Sequence, residues 1–494
     1  MDCSLPLLRR KSPSAFLGVL LVLCMTCILA PRSLPAQDAQ VGKKSAELKI
    51  DKKAESELSK SNIKKVLQSP TYEVQEEDFD LLEKYLRKFY VPQMTNIETA
   101  ALTKLPKSRE QIKEWCRWTG FKKKTDVMEQ MNHITSSLMH ALCNGVLVAE
   151  GGAGTQQVFV LQGSIRDQND RLRIVRSKRD LKSDDRIFNL AGDPVAQNTI
   201  TELAPSTTDF HPAVKLNAML VLGDLNDVQP RGRVEAKPRV NTQRDLIAYL
   251  ESPEQLSETL LVGALSGLQR HAHDALDPNR KARIAKVVAN LADAKTVSGR
   301  NAAAGLWIRR QAIDLLGQLG LAGERNIYVG KLYQIIRNQQ NPLAIRVAAA
   351  DALRKIDLTG LPAGVVGKLA QSLTQLAVDT CETELTEAST PRRSFSADRL
   401  RMRLATVRQA VTGGGEPAEG GLMAVATEEE QKTLQELINV LQTVETQVQT
   451  LNAASNREQI EFVLGESVRG LSSLTPSDSD KKEKPTAPQT AEKS

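Results

Sequence analysis

Two histidines and one cysteine on a predicted helix are the side chains best placed to do chemistry. His133 and His140 are seven residues apart, and Cys143 follows three residues later. These intervals place the three side chains on one helical face, where imidazole and thiolate groups could bind a transition metal. The same face is apolar and contains no closely spaced ligand motif, so ordinary packing within a helix is the favoured interpretation.

The other three histidines fit structural positions. His271 and His273 are separated by one residue, which places them about 200° apart around a helix, so they cannot share one metal ion. We expect them at a helix end or turn ahead of Pro278. His211 precedes Pro212, where capping of the following helix or simple exposure is sufficient.

Sequence motifs for catalysis are missing. The chain has no GxSxG nucleophile elbow, phosphate-loop signature, HExxH zinc motif or CxxCH haem motif. The glycines of GGAG at 151–154 lack the strand and lysine context of a phosphate-binding loop. We therefore predict a protein that is not an enzyme, with no catalytic residues, no metal and no cofactor.

Aromatic residues are scarce, with 9 Phe, 6 Tyr and 3 Trp among 494 residues. Sites that stack carbohydrate rings or nucleic-acid bases need several exposed aromatic side chains together, so these functions are disfavoured. The net charge is +7, but only about +4 remains beyond the first 36 residues, which is too little for a nucleic-acid footprint. We predict no nucleic-acid partner.

The N-terminus has the layout of a secretory leader. The basic run Arg9–Lys11 precedes an uncharged stretch at residues 12–31, and small residues follow. Residues 1–36 are predicted to be a signal peptide cleaved after Ala36, or else an uncleaved anchor that spans the cytoplasmic membrane through residues 12–31. Both alternatives export the rest of the chain, which would be periplasmic or secreted.

The cysteines do not form a disulfide framework. Three of the six lie in the leader, which leaves Cys116, Cys143 and Cys381 in the mature chain. An odd number at wide spacing allows one bridge at most, for which Cys116 and Cys143 are the favoured pair, and buried free thiols are an equally good alternative.

The composition of the N-terminal half divides it into a charged spacer and a longer, mostly helical region. Residues 37–70 are rich in Lys, Glu, Ser and Ala and are predicted to be a charged spacer. Residues 71–208 are predicted to be mostly helical, and the spacing from Asp126 to Cys143 is typical of a helix. Within 144–208, the segments VFVLQGSI and RLRIVRS could each be a short strand, or the whole part could be a loop-rich insertion between helices.

Four segments from residue 209 onward share one pattern: DFHPAVKLNAMLVLGDL, SETLLVGALSGL, WIRRQAIDLLGQLG and NPLAIRVAAADALRKI. In three of them an alanine is preceded by a β-branched residue at minus four and a basic residue at minus three, and is followed by apolar residues at plus four and plus seven. The matching residues are Val214, Lys215, Ala218, Leu222, Leu225, Ile308, Arg309, Ala312, Leu316, Leu319, Ile345, Arg346, Ala349, Leu353 and Ile356. The second segment aligns on Leu265 and Leu268, so successive plus-four leucines are 43, 51 and 37 residues apart.

These intervals fit two-helix repeats, and the pattern resembles that of the HEAT family within the HEAT and armadillo class. Residues 209–225 resemble the family's Asp, Pro, Val-Arg, Ala, Leu-Gly signature, with Lys215 in place of Arg. The resemblance is good from Asp209 to Asp379, weak over 70–208 and absent in the tails. It extends to exported bacterial HEAT-repeat proteins of unassigned function.

This resemblance implies a right-handed stack of helix pairs whose concave surface binds proteins, with no inherent catalysis. It also implies that Lys215, Arg309 and Arg346 form a structural ladder, in which each basic side chain pairs with an acidic residue of a neighbouring repeat. HEAT-repeat hydroxylases use His-Glu pairs, and this sequence contains no His-Glu dipeptide.

After the repeats, the sequence predicts a helical hairpin. Its first helix carries apolar residues at 400, 404, 407 and 411, and a glycine-rich link follows. Its second helix carries a three-heptad seam from Leu434 to Leu451, which we expect to pack on the repeats rather than to form a dimer. Residues 209–380 are assigned to repeats, 381–474 to the hairpin and a terminal helix, and 475–494 to a disordered tail.

The sequence thus predicts an all-α fold, a HEAT-like α-α superhelix with a C-terminal helical hairpin and flexible tails. The predicted function is a non-enzymatic, exported scaffold or protein-binding repeat protein of the cell envelope. Its partner would be another protein, and it would contact the membrane only through an uncleaved leader. The alternatives are an enzyme or metal-binding accessory protein using residues 133–208, or a homo-oligomeric structural element using residues 427–452.

Overall fold

A computed structural model describes most residues from 210 to 474, together with short pieces of the chain before residue 210. The described ranges are 210–228, 236–251, 253, 256–272, 276–293, 300–362, 364–390, 395–413, 421–451 and 455–474. These residues are mostly helical and contain little strand, as the all-α prediction expects. The leader, most of the charged spacer, the C-terminal tail, His133, His273 and Cys116 lie outside the described residues.

Before residue 210, the structure describes one short helix and a sheet. Helix α1 spans Val91–Thr95, and the described residues between Asn132 and Cys143 are helical, in agreement with the predicted helix. Strands β1 (Val146–Ala149), β2 (Val158–Arg166), β3 (Arg186–Asn189) and β4 (Pro194–Val195) form an antiparallel sheet in that order. The segment VFVLQGSI is therefore a strand, whereas RLRIVRS lies outside the described residues. This small sheet is a departure from a purely helical chain.

Helices dominate the chain from residue 212 onward. They are α2 (Pro212–Asp224), α3 (Val240–Leu250), α4 (Glu258–Ala272), α5 (Pro278–Leu291), α6 (Ala302–Leu319), α7 (Ile327–Arg337), α8 (Leu343–Leu353), α9 (Val365–Ser389), α10 (Ala397–Thr412), α11 (Glu428–Gln449) and α12 (Arg457–Ser472). A two-stranded ribbon, β5 (Asn226–Val228) and β6 (Lys237–Pro238), connects α2 to α3. Single 3₁₀ turns precede α7 and α11.

Local sequence explains where several helices begin and end. Asn301 accepts hydrogen bonds from the backbone N–H groups of the first turn of α6, and Asp277 does so for α5. Thr427 and Glu430 form a reciprocal capping box at the start of α11. Gly320, in the left-handed region at φ 66°, ends α6.

The helices from α2 to α10 alternate between two layers. Each even-numbered helix packs against the next even-numbered helix, so α2, α4, α6, α8 and α10 form one continuous row. The odd-numbered helices α3, α5, α7 and α9 each pack on the even-numbered helix that follows them in the chain. The four aligned segments of the sequence are the successive helices α2, α4, α6 and α8 of the even row.

The aligned residues of this row form its buried side. All fifteen of them are buried except Lys215, which is partly exposed. A Cβ atom on Gly223 of α2 would lie 2.5 Å from the Cα of Gly267 in α4, and one on Gly317 of α6 would lie 2.7 Å from the Cα of Ala352 in α8. Of the two roles that the sequence leaves open for Gly223 and Gly317, close helix approach is therefore the one that applies.

These two equivalent contacts correct the predicted alignment of α4. Because Gly267 occupies the position that Ala352 occupies in α8, the alanine column passes through Ala264, with Leu268 at plus four. The alignment based on Leu265 was wrong by three residues. When Leu268 replaces Leu265 at the plus-four position of α4, the leucines at this position in successive helices are 46, 48 and 37 residues apart.

The last four helices close into a bundle. Helix α9 packs on α10, α10 on α11, α11 on α12, and α12 back on α9. The predicted hairpin is formed by α10 and α11, and its apolar seam from Leu434 to Leu451 is buried within the same chain. The predicted domain boundary at 380/381 falls inside the continuous helix α9, so the repeats and the hairpin share an element.

None of the helices in the described part of the chain combines the length and apolar character needed to cross a membrane.

Candidate functional site

His140 belongs to a buried polar cluster. Its Nε2 lies 2.7 Å from Oδ2 of Asp245, and its Nδ1 lies 3.1 Å from the hydroxyl of Tyr249. Asp245 and Tyr249 are four residues apart on α3 and therefore face the same side. The ring of His140 is fully buried and stacks on that of Tyr249, with centroids 5.7 Å apart. Through these contacts the cluster joins the helical residues around His140 to α3.

Both described cysteines are buried free thiols. Burial raises the pKa of Cys143 far above its ordinary range, and the nearby Lys215 only partly opposes this. Burial also raises the pKa of Cys381 to about 12, with Glu382 and Glu384 adding to the increase. A thiol that stays protonated is a poor nucleophile and a poor metal ligand. The buried-thiol alternative therefore holds for these two residues.

His140 and Cys143 do not converge on one site. The Sγ of Cys143 donates to the backbone oxygen of Lys215 in α2, at 3.7 Å, whereas His140 contacts α3. Among the residues that the structure describes, no three His, Cys, Asp or Glu side chains are grouped so that they could hold a metal ion.

His271 and His211 occupy the helix ends that the sequence predicts for them. His271 lies in the last turn of α4, and its Nε2 donates to the backbone oxygen of Gly223 at 3.2 Å. Burial, together with the adjacent positive charge of Arg270, lowers the pKa of His271 to about 4, although the hydrogen bond to Gly223 partly opposes both. His211 caps α2 by accepting a hydrogen bond from the N–H of Ala213.

Arg309 and Arg346, two of the three residues of the expected ladder, make equivalent contacts. In each case Nε donates to a carbonyl at the end of the preceding odd-numbered helix, that of Ala292 at 3.1 Å and that of Ile336 at 2.7 Å. The other end of each guanidinium reaches the next repeat. Arg309 Nη2 donates to Asn341 Oδ1 at 2.7 Å, and Arg346 Nη1 donates to Asp379 Oδ2 at 2.5 Å. Each arginine thus caps one helix and connects two successive helix pairs.

Only part of the ladder has the predicted acidic partner. Arg346 pairs with the carboxylate of Asp379, whereas Arg309 meets the amide of Asn341. Burial lowers the pKa of Arg309, and Asp293 partly opposes this. In the first repeat, the backbone oxygen of Lys215 receives the thiol hydrogen bond of Cys143.

A buried carboxylate between α9 and α10 was not anticipated from the sequence. The side chain of Glu384 is completely buried and accepts hydrogen bonds from Arg399 Nε at 2.6 Å and Nη2 at 2.8 Å. Arg403 Nη1 donates to it at 3.1 Å. The signal in the sequence is a pair of acidic residues three apart, Glu384 and Glu387, facing two arginines four apart on the next helix. The cluster joins the two helices and leaves no unpaired charge at Glu384.

Partly exposed polar side chains lie next to one another along helices α4, α6 and α8 of the even row. Gln269 of α4 donates a side-chain hydrogen bond to Gln311 of α6, so the surface crosses from one helix to the next. Asp314 follows Gln311 by one turn and lies near Asp351 of α8. The even-helix face is defined here by Gln269, Gln311, Asp314, Asp351 and Arg354.

Charged groups on this face compensate one another. Asp351 accepts hydrogen bonds from Arg354 Nε at 2.6 Å and from Lys355 Nζ at 2.5 Å. Burial alone would raise the pKa of Asp351, but these two cationic donors lower it overall. Burial raises the pKa of Asp314, which the positive charges of Arg310 and Lys355 oppose. The face is therefore a network of paired charges and amides.

Comparisons of the chain with protein-family models, with curated proteins and with solved structures give no match. The function is therefore argued from the residues and their contacts.

Proposed function

We propose that this chain is a non-enzymatic, exported protein-binding scaffold of the cell envelope, built from HEAT-like helix pairs. Its binding surface in this proposal is the even-helix face, and its partner is another protein. No cofactor or metal is required.

The observation that carries the proposal is the continuity of the even-helix face. The small residues at the helix contacts, such as Gly223, Gly267 and Gly317, hold neighbouring even-numbered helices close together. Polar side chains of neighbouring even-numbered helices also lie next to one another, as in the hydrogen bond between Gln269 of α4 and Gln311 of α6. Repeat arrays commonly bind proteins through a long surface assembled in this way.

The positions of the reactive groups support a non-enzymatic function. His140, Cys143, His271 and Cys381 are all buried, and Cys143 and Cys381 are held in the protonated form. An enzyme needs its acid, base or nucleophile to reach a substrate in a cleft. The alternative of an enzyme or metal-binding accessory protein receives no support from these four side chains.

The proposed export depends on the leader. Its basic run at Arg9–Lys11, apolar stretch and small residues near Ala36 are arranged as in a secretory signal. The oligomer alternative is disfavoured because the residues that would form its interface, Leu434 to Leu451, are covered by α10 and α12 of the same chain.

Cross-linking of the tagged protein in its own envelope fraction tests the proposal. We expect one companion protein in constant proportion, cross-linked to the even-helix face, and no tightly held metal by elemental mass spectrometry of the same sample. Tightly held metal without a companion, or a turnover activity in the purified chain, would contradict the proposal.

A matched pair of variants links binding to this face. Gln311→Lys introduces a long charged side chain into the face, and we expect it to weaken capture of the companion about fivefold or more, or ~1 kcal/mol. Gln435→Lys makes the same change on the exposed side of α11 and should leave capture unchanged. Equal capture by both variants would place the binding surface elsewhere.

A further inference from the structure

A groove runs between the turn from α7 to α8 and the side of α9. Its volume is about 640 Å³, and the turn residues 339–343, together with Arg346, Asp379 and Glu382, line much of it. We propose that this groove binds an extended peptide segment with a basic side chain, presented by a partner protein. This inference rests on the proposed protein-binding function and specifies one type of partner.

The first observation is an unsatisfied donor in the wall of the groove. Arg346 is 3% exposed, and its Nη2 has no hydrogen-bond partner. Two acceptors that line the groove, Asp379 and Asn341, already accept hydrogen bonds from other donors. Asp379 accepts from Arg346 Nη1 through Oδ2 and from Gln375 through Oδ1, and Asn341 Oδ1 accepts from Arg309. A carbonyl oxygen from a bound main chain would supply the missing acceptor.

The second observation is an uncompensated negative charge at the rim. Glu382 is exposed and has no cationic partner, whereas Asp379 is paired with Arg346 and Glu387 with Arg399. The groove therefore holds one carboxylate more than its ion pairs use, in a chain whose overall charge is +7. A lysine or arginine side chain of the peptide is complementary to Glu382.

The third observation is the mixture of amides and apolar groups in the turn. Gln339 and Gln340 are exposed and can pair with peptide N–H and C=O groups, while Leu343 is partly buried and provides an apolar contact. Backbone hydrogen bonds combined with alternate side-chain contacts are the usual means of binding an extended peptide. The groove volume is also within the range of small-ligand pockets.

Selection from a library of random ten-residue peptides, displayed against the full-length chain, tests the inference. We expect enrichment of peptides with Lys or Arg at one fixed position. The enriched peptide should bind at least ~10-fold more weakly to the Glu382→Lys variant, because the rim charge is reversed. Glu429→Lys, on the exposed first turn of α11, is the control and should bind like the unchanged chain.

Selection without basic enrichment, or equal loss of binding in both variants, would overturn the inference, as would enrichment of acidic peptides. Thermal unfolding of both variants establishes that any loss is not a loss of fold. Capture of the companion protein separates the two proposals. If Glu382→Lys captures the companion as well as the unchanged chain does, the groove proposal fails and the scaffold proposal stands, whereas absence of any companion contradicts the scaffold proposal itself.

Discussion

His271 lies at a contact where protonation is unfavourable. Its Nε2 donates to Gly223, its Nδ1 is buried without a partner, and the guanidinium of Arg270 is adjacent. The neutral ring fits this position because only one nitrogen carries a proton. The imidazolium would place a second buried N–H beside an existing positive charge.

Acid should therefore weaken the fold through His271. Its pKa is about 4 in the folded chain, against an ordinary value of 6.5. Because the folded pKa is the lower one, the unfolded chain binds the proton more readily. The contribution of His271 to the free energy of unfolding is fully present above pH 6.5. It falls as the pH approaches 4, by up to ~3 kcal/mol. Urea unfolding between pH 7 and pH 4 measures this loss.

The control for that measurement is His271→Gln, which keeps an amide donor but cannot titrate. We expect the variant to lose less stability than the unchanged chain over the same pH range. Parallel curves for the two proteins would mean that other groups cause the acid sensitivity.

The sequence predicts the local position of some single residues but not their partners in distant parts of the chain. The helical position of His140 follows from spacing, but its partner Asp245 is 105 residues away in the chain. No periodic pattern connects two residues at that distance. Conversely, the roles of His211 and Arg346 depend on short-range geometry, capping in one case and a repeated motif in the other, and both could be predicted.

At the level of helices, close packing depends on glycine at a few contacts. Gly317 faces the backbone of Ala352 at a distance that leaves no space for a methyl group. By contrast, a Cβ atom on Gly330 of α7 would meet no atom within 4 Å. The two glycines thus occupy helices of adjoining layers in opposite environments.

Alanine substitutions at these two positions should have opposite effects. Gly317→Ala should lower the free energy of unfolding by ~1–3 kcal/mol, because α6 and α8 must separate to admit the methyl group. Gly330→Ala should raise it by ~0.5–1 kcal/mol through helix propensity. Chemical denaturation of both variants measures the difference. Stabilisation by Gly317→Ala would contradict the close approach of the two helices.

Periodicity predicts helices better than it predicts their alignment or their limits. Helix α4 has leucines at 261, 265 and 268, so its sequence fits two alignments, and only the contact between Gly223 and Gly267 selects the correct one. The predicted boundary at 380/381 lies inside α9, where buried Thr380, Cys381 and Glu384 continue the inner side of the helix. A hydropathy pattern identifies buried apolar residues and does not predict that polar residues such as Thr380 and Glu384 are buried.

At the scale of the described chain, both ends of the even row are covered. The helix with Asn132, His140 and Cys143 contacts the ribbon, α3 and α2 at one end. Helix α10 is the other end of the row, and it is covered by α11 of the bundle. In repeat proteins, terminal elements of this kind shield the apolar ends of the array.

The covered seam of α11 leads to a prediction about assembly. Leu441 is fully buried within the bundle. Leu441→Glu should therefore lower the free energy of unfolding by ~3 kcal/mol or more without changing the molar mass of the folded protein. Light scattering combined with urea unfolding distinguishes this from an interface. A mass that halves while the fold persists would instead support the oligomer alternative.

Helix α9 is covered in part by α12, which lies much later in the chain. Its buried residues lie on almost all sides, and α12 covers one of those sides. During synthesis or export α12 emerges after α9, so the side of α9 that α12 covers stays exposed until residues 457–472 have followed. We expect a product truncated before residue 457 to present that side to chaperones and proteases.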